Sequence, residues 1–322
     1  MKNITGDKML AHVSRIIGEH KPITADIFLT NYCNNKCPYC TYRRWELEPG
    51  ARAMPGVEFI KYAMRLVELG VQGIILTGGG EPTLNPDFGM ITKWLEDNGI
   101  HYGINTNFNK LVYFKPDYLK VSLDGWDENS YRLSRGVQAY GQVCENIIKY
   151  DDWRKKYSQN TTLGIQIVAK NPVAVTKFYE ANKNLPVDYI AFRPMESTAG
   201  KYYKIAFDKD EFCDPVFTIK AIQELAEHDT RVSLSFKWNL LSQRERSCTA
   251  EWAQIALNEN GDVMYCCHKP YEIVGHIMDY DIMEKKAAFQ TDMSMCDIPC
   301  RMTAPNMEVA RITRPQKDCF FI

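Results

Sequence analysis

The feature that most constrains the fold is a regular alternation of short β-rich runs with amphipathic helical stretches, which begins near residue 24. The runs have the length and apolar composition of buried strands, and apolar residues at helical spacing follow them. The predicted strands are residues 25–29, 73–77, 101–105, 118–123, 163–168 and 189–193. Six such alternations predict an α/β fold with a parallel sheet and right-handed crossovers. We expect the functional loops at the carboxyl ends of the strands.

A small second module is predicted after about residue 236, where the pattern changes. Residues 255–257 and 263–265 flank the sequence NENG at 258–261, whose Asn-Gly step is a strong hairpin signal. Cysteines bracket this predicted hairpin. We therefore divide the chain into an N-terminal extension at 1–23, a barrel region at 24–230 and a C-terminal module at 231–322.

The composition excludes several classes of protein. Thirty-nine Lys and Arg residues against 40 Asp and Glu give a formal net charge of −1, so no strong overall field attracts nucleic acid or an anionic membrane. No apolar run approaches the ~18 residues of a membrane span, and the N-terminus lacks the charge-then-apolar order of a secretory signal. We expect a cytoplasmic protein that binds neither nucleic acid nor membrane.

The chain has eleven cysteines, an odd number that leaves at least one thiol outside any set of internal disulfides. Without an export signal the thiols are expected to stay reduced. Their distribution is more informative than their number. One group is Cys33, Cys37 and Cys40, and the other is Cys248, Cys266, Cys267, Cys296 and Cys300. Two local groups in a reducing compartment predict two metal sites.

The first group has the spacing Cys33-x3-Cys37-x2-Cys40 and directly follows the first predicted strand. Three thiolates on one loop can ligate three irons of a [4Fe–4S] cube. No fourth ligand lies nearby in the sequence, so one iron stays open, as chemistry at a metal requires. A structural zinc site, or an electron-transfer cluster completed by a remote ligand, is the alternative for this triplet.

This pattern resembles the signature of radical S-adenosylmethionine (SAM) enzymes, which is CxxxCxxC with an aromatic residue before the last cysteine, here Tyr39. Further segments resemble the family's GGE, TNG and SLDG motifs and its carboxylate-binding arginine, and they follow in the same order. The resemblance implies that SAM is bound by Tyr39, Gly79, Gly80, Glu81, Asn105, Ser122 and Arg135. Packing or a solvated loop is the alternative for each segment alone, but the ordered set over residues 24–195 is specific. It implies a partial (β/α)6 barrel, TIM-like and open on one side to substrate.

The resemblance also implies the chemistry. In that family the open iron chelates SAM, and one electron from the reduced cluster breaks its C5′–S bond. The resulting 5′-deoxyadenosyl radical abstracts hydrogen from a C–H bond, and the protein supplies orientation and excludes competing reactions. The implied cofactors are a SAM-binding [4Fe–4S] cluster and SAM itself, and the implied partners include an electron donor such as flavodoxin or ferredoxin.

The second cysteine group resembles the SPASM and shorter twitch extensions of the same family. The resemblance implies an auxiliary [4Fe–4S] cluster ligated by Cys248, Cys266, Cys296 and Cys300. The cysteines are too few for two clusters, so a one-cluster, twitch-like module is expected. Cys267 in place of Cys266, Cys319 as an extra ligand, and a four-cysteine zinc knuckle remain alternatives. His268 and His276 are left out of the ligand set.

The substrate is less constrained. Family members with this layout oxidise or epimerise aminoglycoside-type sugars or modify ribosomally made peptides, and the short N-terminal extension favours a small polar, sugar-like substrate here. Residues 41–48, Arg193 and Glu196 are candidates for contacting substrate. Cys144 and Cys213 are expected to be core cysteines, with a hydrogen-atom donor as the alternative. A non-catalytic electron-transfer or regulatory Fe–S or zinc protein is the competing class.

Overall fold

The computed structural model of the chain describes residues 12, 15–19, 21–40, 42, 50–194, 215–235, 238, 248, 250–293, 296, 300 and 302–313. A π-helical turn at Arg15–Glu19 precedes the first strand. None of the described helices is long and apolar enough to cross a membrane.

Strands of one mixed sheet form the centre of the fold. They are β1 (Thr24–Phe28), β2 (Gly73–Thr77), β3 (His101–Thr106), β4 (Tyr118–Ser122), β5 (Thr162–Val168), β6 (Tyr189–Arg193), β7 (Val232–Leu234), β8 (Gln254–Leu257), β9 (Asp262–Met264) and β10 (Ile273–His276). They lie in the order β10-β9-β8-β1-β2-β3-β4-β5-β6-β7. All neighbours from β8 to β7 are parallel, and only the β8–β9 and β9–β10 pairs are antiparallel. Because β10 and β7 are the edges of this sheet in the described part of the chain, the predicted partial barrel is confirmed.

Most of the helices connect successive parallel strands, and the last two follow the C-terminal hairpin strands. In the described part they are α1 (Gly56–Glu68), α2 (Phe88–Asp97), α3 (Glu128–Arg135), α4 (Tyr140–Tyr157), α5 (Pro172–Asn182), α6 (Pro215–His228), α7 (Ile282–Ala288) and α8 (Thr303–Thr313). The helical stretch predicted within 130–156 is two helices, because Gly136 has a φ of 74° and ends α3. Helix α3 starts with a capping box in which Asp127 accepts from the backbone of Ser130.

The two faces of the sheet have different surroundings, because successive side chains of a strand point to opposite sides. Ile74, Leu76, Leu119 and Val121 pack with helix residues in one continuous buried core. The intervening positions therefore face the inner side of the barrel. They include Thr77, Asn105, Lys120, Ser122, Gln166 and Arg193.

The C-terminal hairpin extends this same sheet. Strand β8 pairs in parallel with β1, with Ala256 opposite Asp26, and then forms the predicted hairpin with β9. Gly261 in the turn has a φ of 84°, which glycine adopts without strain. Strand β7 was not predicted, because three residues are too few to show periodicity. The domain boundary at residue 230 stays a prediction, and the sheet runs across it, since β7 pairs with β6 and β8 with β1.

Candidate active site

The first cysteine group lies just beyond the carboxyl end of β1. Cys33, Cys37 and Cys40 are reduced, with Cys37 buried and the other two half-buried. Burial is the main reason that the pKa of Cys33 rises to about 12, and the charges of Glu81, Cys37 and Cys40 add to the rise. The sulfur of Cys33 therefore lies within electrostatic range of the sulfurs of Cys37 and Cys40 and of the carboxylate of Glu81.

The glycine turn after β2 packs directly against the start of this loop. A Cβ atom on Gly80 would lie 1.9 Å from the carbonyl oxygen of Tyr32, the residue before Cys33. Instead, the amide of Glu81 donates to that carbonyl oxygen at 2.8 Å. Only glycine permits this approach of two backbones, so the turn fixes the position of the cysteine loop.

The side chain of Glu81 points into the protein and is 3% exposed. Its Oε1 atom accepts from the backbone and hydroxyl of Thr83 and from the hydroxyl of Thr106, and its Oε2 atom accepts from the amide of Asn107 at 2.7 Å. Burial raises the pKa of Glu81, and these hydrogen bonds oppose the rise. The carboxylate of Glu81 thus joins the loops after β2 and β3. Contacts of the glycine turn with a ligand are therefore expected from its backbone rather than from the Glu81 side chain.

Arg135 at the end of α3 holds the other side of the cysteine loop. Its Nη1 atom lies 3.4 Å from the sulfur of Cys37, and its carbonyl oxygen accepts from the amide of Lys36 at 2.9 Å. Its guanidinium also forms a buried ion pair with Asp124. Burial alone would lower the pKa of Arg135, but the charges of Asp124, Tyr39 and Cys37 raise it well above its usual value.

Two asparagine pairs, which the sequence analysis did not assign to the site, clasp the cysteine loop to the loop after β3. Asn107 Nδ2 donates to the Oδ1 atom of Asn34 at 2.7 Å and lies 3.8 Å from the sulfur of Cys33. Asn109 Nδ2 donates to the Oδ1 atom of Asn35 at 2.6 Å. The only signal in the sequence is the abundance of asparagine in both loops, which does not reveal the pairing.

Asp124 was also missed as a site residue. It is 6% exposed, has a φ of 36°, and accepts from the amide of Val168 at 2.6 Å. A positive φ is uncommon for a residue with a Cβ, although Asp tolerates it better than most. Besides the ion pair with Arg135, Asp124 lies beside Tyr39. Burial first, and then the charge of Asp124, raise the pKa of that tyrosine.

The remaining predicted SAM-binding residues lie on the inner face of the sheet. Asn105 near the end of β3 donates from Nδ2 to the hydroxyl of Thr77 at 3.0 Å, while its buried Oδ1 atom has no hydrogen-bond partner. Ser122 ends β4, two residues before Asp124. The Nε atom of Arg135 is likewise buried without a partner. One acceptor at the end of β3 and one donor beside Cys37 are thus left for a polar ligand.

The second cysteine group lies around the hairpin. Burial raises the pKa of Cys266 well above its usual value, and the charges of Cys267, Cys300 and Cys248 raise it further. Amide groups point at two of these sulfurs: Asn306 Nδ2 donates to Cys248 at 3.3 Å, and the amide of Met302 donates to Cys300 at 3.3 Å.

Cys296 and Cys267 differ from the rest of this group. Cys296 is half-buried, with its sulfur 3.8 Å from the Sδ atom of Met293. Cys267 is 3% exposed in an apolar cluster with Phe28, Ala256 and Met264. This environment is typical of a core cysteine, and it favours Cys266 over Cys267 as the ligand.

The first cysteine loop is compatible with an iron–sulfur cluster and SAM. Three reduced thiols provide the donor set that a cube with one open iron needs, and the unpartnered atoms of Asn105 and Arg135 suit a polar ligand. In the described part of the chain, no three His, Cys, Asp or Glu side chains converge on a position for a single metal ion. A cube binds its thiolates at different corners, so its ligands need not converge on one point.

The other candidates from the sequence have different outcomes. Arg193 ends β6 on the inner face of the sheet and is half-buried. Cys144 lies on α4, half-buried against the helix-covered core, which fits a packing role. Residues 41, 43–48, Glu196, Cys213 and Cys319 lie outside the described residues.

Comparison with known proteins shows what the barrel region is similar to. Residues 27–165 match the family model described as the Radical SAM superfamily. A Methanocaldococcus jannaschii protein named as a glycyl-radical enzyme activating enzyme is 27% identical over 187 residues, which cover 54% of this chain and 72% of that protein. A Pyrococcus abyssi protein named as a GTP 3′,8-cyclase is 30% identical over 137 residues, covering 40% of this chain and 44% of that protein. This chain therefore spans less than half the length of the second relative.

A solved structure extends the likeness to the C-terminal module. SuiB of Streptococcus suis, bound to its precursor peptide SuiA, matches with a TM-score of 0.66 at 15% sequence identity. The match covers 94% of this chain and 77% of SuiB. At this identity the likeness concerns the fold, including the hairpin that follows the barrel.

Proposed function

We propose that this chain is a radical SAM enzyme, since residues 27–165 match the model of that superfamily, and that it cleaves SAM reductively and abstracts hydrogen from a C–H bond of a polar substrate. The observation that carries the proposal is the packing of three elements around one loop. Cys33, Cys37 and Cys40 follow β1, the backbone at Gly80 abuts the loop on one side, and Arg135 contacts Cys37 on the other.

We propose that the three thiolates hold a [4Fe–4S] cluster, which supplies one electron for cleavage of bound SAM. The protein groups around it bind and orient the nucleotide. The Oδ1 atom of Asn105 is an acceptor, and the Nε atom of Arg135 is a donor suited to a carboxylate. Ser122 and Tyr39 complete the proposed binding set, together with the backbone of Gly79 and Gly80.

In this proposal Glu81 and Asp124 act through other residues rather than on SAM. The carboxylate of Glu81 is occupied by hydrogen bonds from Thr83, Thr106 and Asn107. The carboxylate of Asp124 is paired with Arg135. Their role is to keep the loops after β2, β3 and β4 at fixed positions around the cysteines, because radical chemistry depends on orientation and on exclusion of water.

We further propose that Cys248, Cys266, Cys296 and Cys300 ligate an auxiliary [4Fe–4S] cluster. The charges of Cys300 and Cys248 help to raise the pKa of Cys266, which supports the proximity of these three residues, and the apolar packing of Cys267 supports its exclusion. Cys296 is included among the proposed ligands because of its sequence spacing from Cys300 and its half-buried position.

The proposed substrate is a small polar molecule that undergoes oxidation or epimerisation. The inner face of the sheet supports a polar ligand, since Asn105, Lys120, Ser122, Gln166 and Arg193 lie on it. A sugar-like substrate is one member of this class, and no relative described above is named for one. A peptide is the second class that we propose to test, because SuiB, which shares the fold, was solved with its precursor peptide.

The experiment that tests the proposal uses the full chain after anaerobic reconstitution with iron and sulfide. On addition of SAM and dithionite, we expect 5′-deoxyadenosine and methionine to form. Cys40→Ala is expected to abolish both products, because two thiolates do not hold the cube. Cys144→Ala, at the half-buried core-packing cysteine of α4, is the matched control and is expected to keep SAM cleavage. Intact clusters without 5′-deoxyadenosine would favour a non-catalytic iron–sulfur protein.

The same assay separates the two reaction types once a substrate is found. Oxidation removes two electrons from the substrate, whereas epimerisation incorporates solvent deuterium without a change in redox state. Replacing dithionite with a reduced flavodoxin or ferredoxin tests the proposed electron donor. Zinc instead of iron at the second cysteine group would contradict the auxiliary cluster.

A further inference from the structure

Tyr42 contacts both cysteine groups. Its amide donates to the sulfur of Cys40 at 3.4 Å. Its hydroxyl donates to the carbonyl oxygen of Cys267 at 2.8 Å, across 225 positions of sequence. Cys267 is the residue that follows Cys266, so the two ends of Tyr42 reach a proposed ligand of the first cluster and the neighbour of a proposed ligand of the second.

The ring of Tyr42 is held between these two contacts. It meets the ring of Phe28 at 5.0 Å in an edge-to-face arrangement and packs against the apolar cluster of Phe28, Ala256, Met264 and Cys267. Phe28 is the last residue of β1, and Ala256 lies in the parallel neighbour β8. The ring therefore fills the junction where the barrel continues into the hairpin.

We propose that Tyr42 is a positioning residue that couples the two cysteine groups, so that a change at the auxiliary group alters the electronic properties of the SAM-binding group. This inference rests on the proposed function, since it requires both clusters. Hydrogen bonds to ligand sulfurs are one of the factors that set the reduction potential of an iron–sulfur cluster. The Tyr42 amide is such a bond, and its geometry depends on where the tyrosine ring and hydroxyl are anchored.

The two contacts of Tyr42 also indicate how a movement at one cysteine group reaches the other, and how large the effect is. Displacement of the segment at Cys266–Cys267 moves the acceptor of the Tyr42 hydroxyl, and the tyrosine transmits that movement to the amide at Cys40. The hydroxyl bond joins neutral groups, so its contribution is that of one ordinary hydrogen bond, roughly a fivefold effect on an equilibrium. By linkage, the influence of each group on the other is reciprocal.

The test compares Tyr42→Phe with Tyr62→Phe. Phenylalanine at position 42 keeps the ring and the amide and removes only the hydroxyl bond to Cys267. Tyr62 on α1 offers a matched control, because its hydroxyl also joins the barrel to the hairpin, at 3.4 Å from the carbonyl oxygen of Asn260, and its ring meets that of His276. Circular dichroism and iron content establish that each variant is folded and loaded.

The measurement is the midpoint potential of the SAM-binding cluster, followed by electron paramagnetic resonance, with and without the Cys300→Ala change that removes the auxiliary cluster. With Tyr42 present, Cys300→Ala is expected to shift this potential. With Phe at position 42 the shift is expected to be lost, and with Phe at position 62 it is expected to persist. In the Tyr42→Phe variant, no substitution at position 62 is expected to restore the shift in potential that Cys300→Ala causes.

Two results would overturn the inference. One is an equal shift with Tyr42 and with Phe at position 42. The other is an equal loss of the shift in both phenylalanine variants, which would indicate general loosening of the junction. Failure of the proposed function is recognised separately, before the variants are compared. It shows as wild-type protein that holds about four irons instead of about eight, or that forms no 5′-deoxyadenosine.

Discussion

The Nη1 atom of Arg135 lies 3.4 Å from the sulfur of Cys37, although the two residues are 98 positions apart in the sequence. The guanidinium is held there by the buried carboxylate of Asp124. A cation beside a cluster ligand offsets the negative charge that thiolates and sulfides bring to a buried site. This arrangement links the end of α3 to the chemistry expected at the cysteine loop.

Changing Asp124→Asn is expected to destabilise the fold by roughly 3–5 kcal/mol, because it leaves the buried charge of Arg135 without its partner. Asparagine tolerates the positive φ at this position and keeps an acceptor for the Val168 amide, so the charge is the main thing removed. Urea unfolding measures the effect. Asp97→Asn, which breaks an exposed pair with Lys93, is the control and is expected to cost much less, because solvent screens the pair. Equal costs would contradict the importance of the buried pair.

Changing Gly80→Ala is expected to lower both stability and bound iron. The added Cβ would overlap the carbonyl oxygen of Tyr32 at 1.9 Å, so the cysteine loop must move, at a cost of roughly 2–3 kcal/mol. Thermal unfolding and iron analysis after reconstitution report the two effects. Gly89→Ala in α2 is the control, because nothing lies within 4 Å of its added Cβ. It is expected to leave stability unchanged or raise it by up to about 1 kcal/mol.

Cys266→Ser is expected to lower bound iron by about one cluster of four irons, whereas Cys267→Ser is expected to keep the iron and lose about 1 kcal/mol of stability. The physical reason is that Cys267 packs in the apolar cluster, while Cys266 shares its electrostatic environment with Cys248 and Cys300. Iron analysis and urea unfolding measure the two quantities. Iron loss from the Cys267 variant alone would reverse the assignment.

Asp229 is expected to make stability depend on pH in the acid range. Hydrogen bonds from Arg231 are the main reason that its pKa falls from 3.8 to about 2. A carboxylate with a lowered pKa stabilises the fold fully above its unfolded pKa, and that contribution is lost as pH falls through its folded pKa. Removing it by Asp229→Asn is expected to cost about 1 kcal/mol at pH 7 and little near pH 2, since the pair is partly exposed. A cost that does not change with pH would exclude this ion pair as its cause.

The sequence predicted the barrel well because its signals are local. The predicted strands at 73–77 and 189–193 have the same bounds in the structure, and the hairpin predicted from Asn260 and Gly261 is present. Strand β7 was not predicted from the sequence, because its three residues form a strand only through pairing with β6. Short pairs of this kind depend on a neighbour that local periodicity does not reveal.

For the candidate site, the sequence by itself determined the chemical groups: cysteines at a spacing that suits an iron–sulfur cube, a glycine run after β2, and an arginine at the end of α3. It did not determine what those groups touch. Tertiary structure turned the carboxylate of Glu81 inward to Thr106, paired Arg135 with Asp124, and brought Tyr42 against Cys267. The physical reason is that spacing along a chain fixes only which loop a residue occupies, whereas contacts between loops follow from strand order and from how buried polar groups find partners.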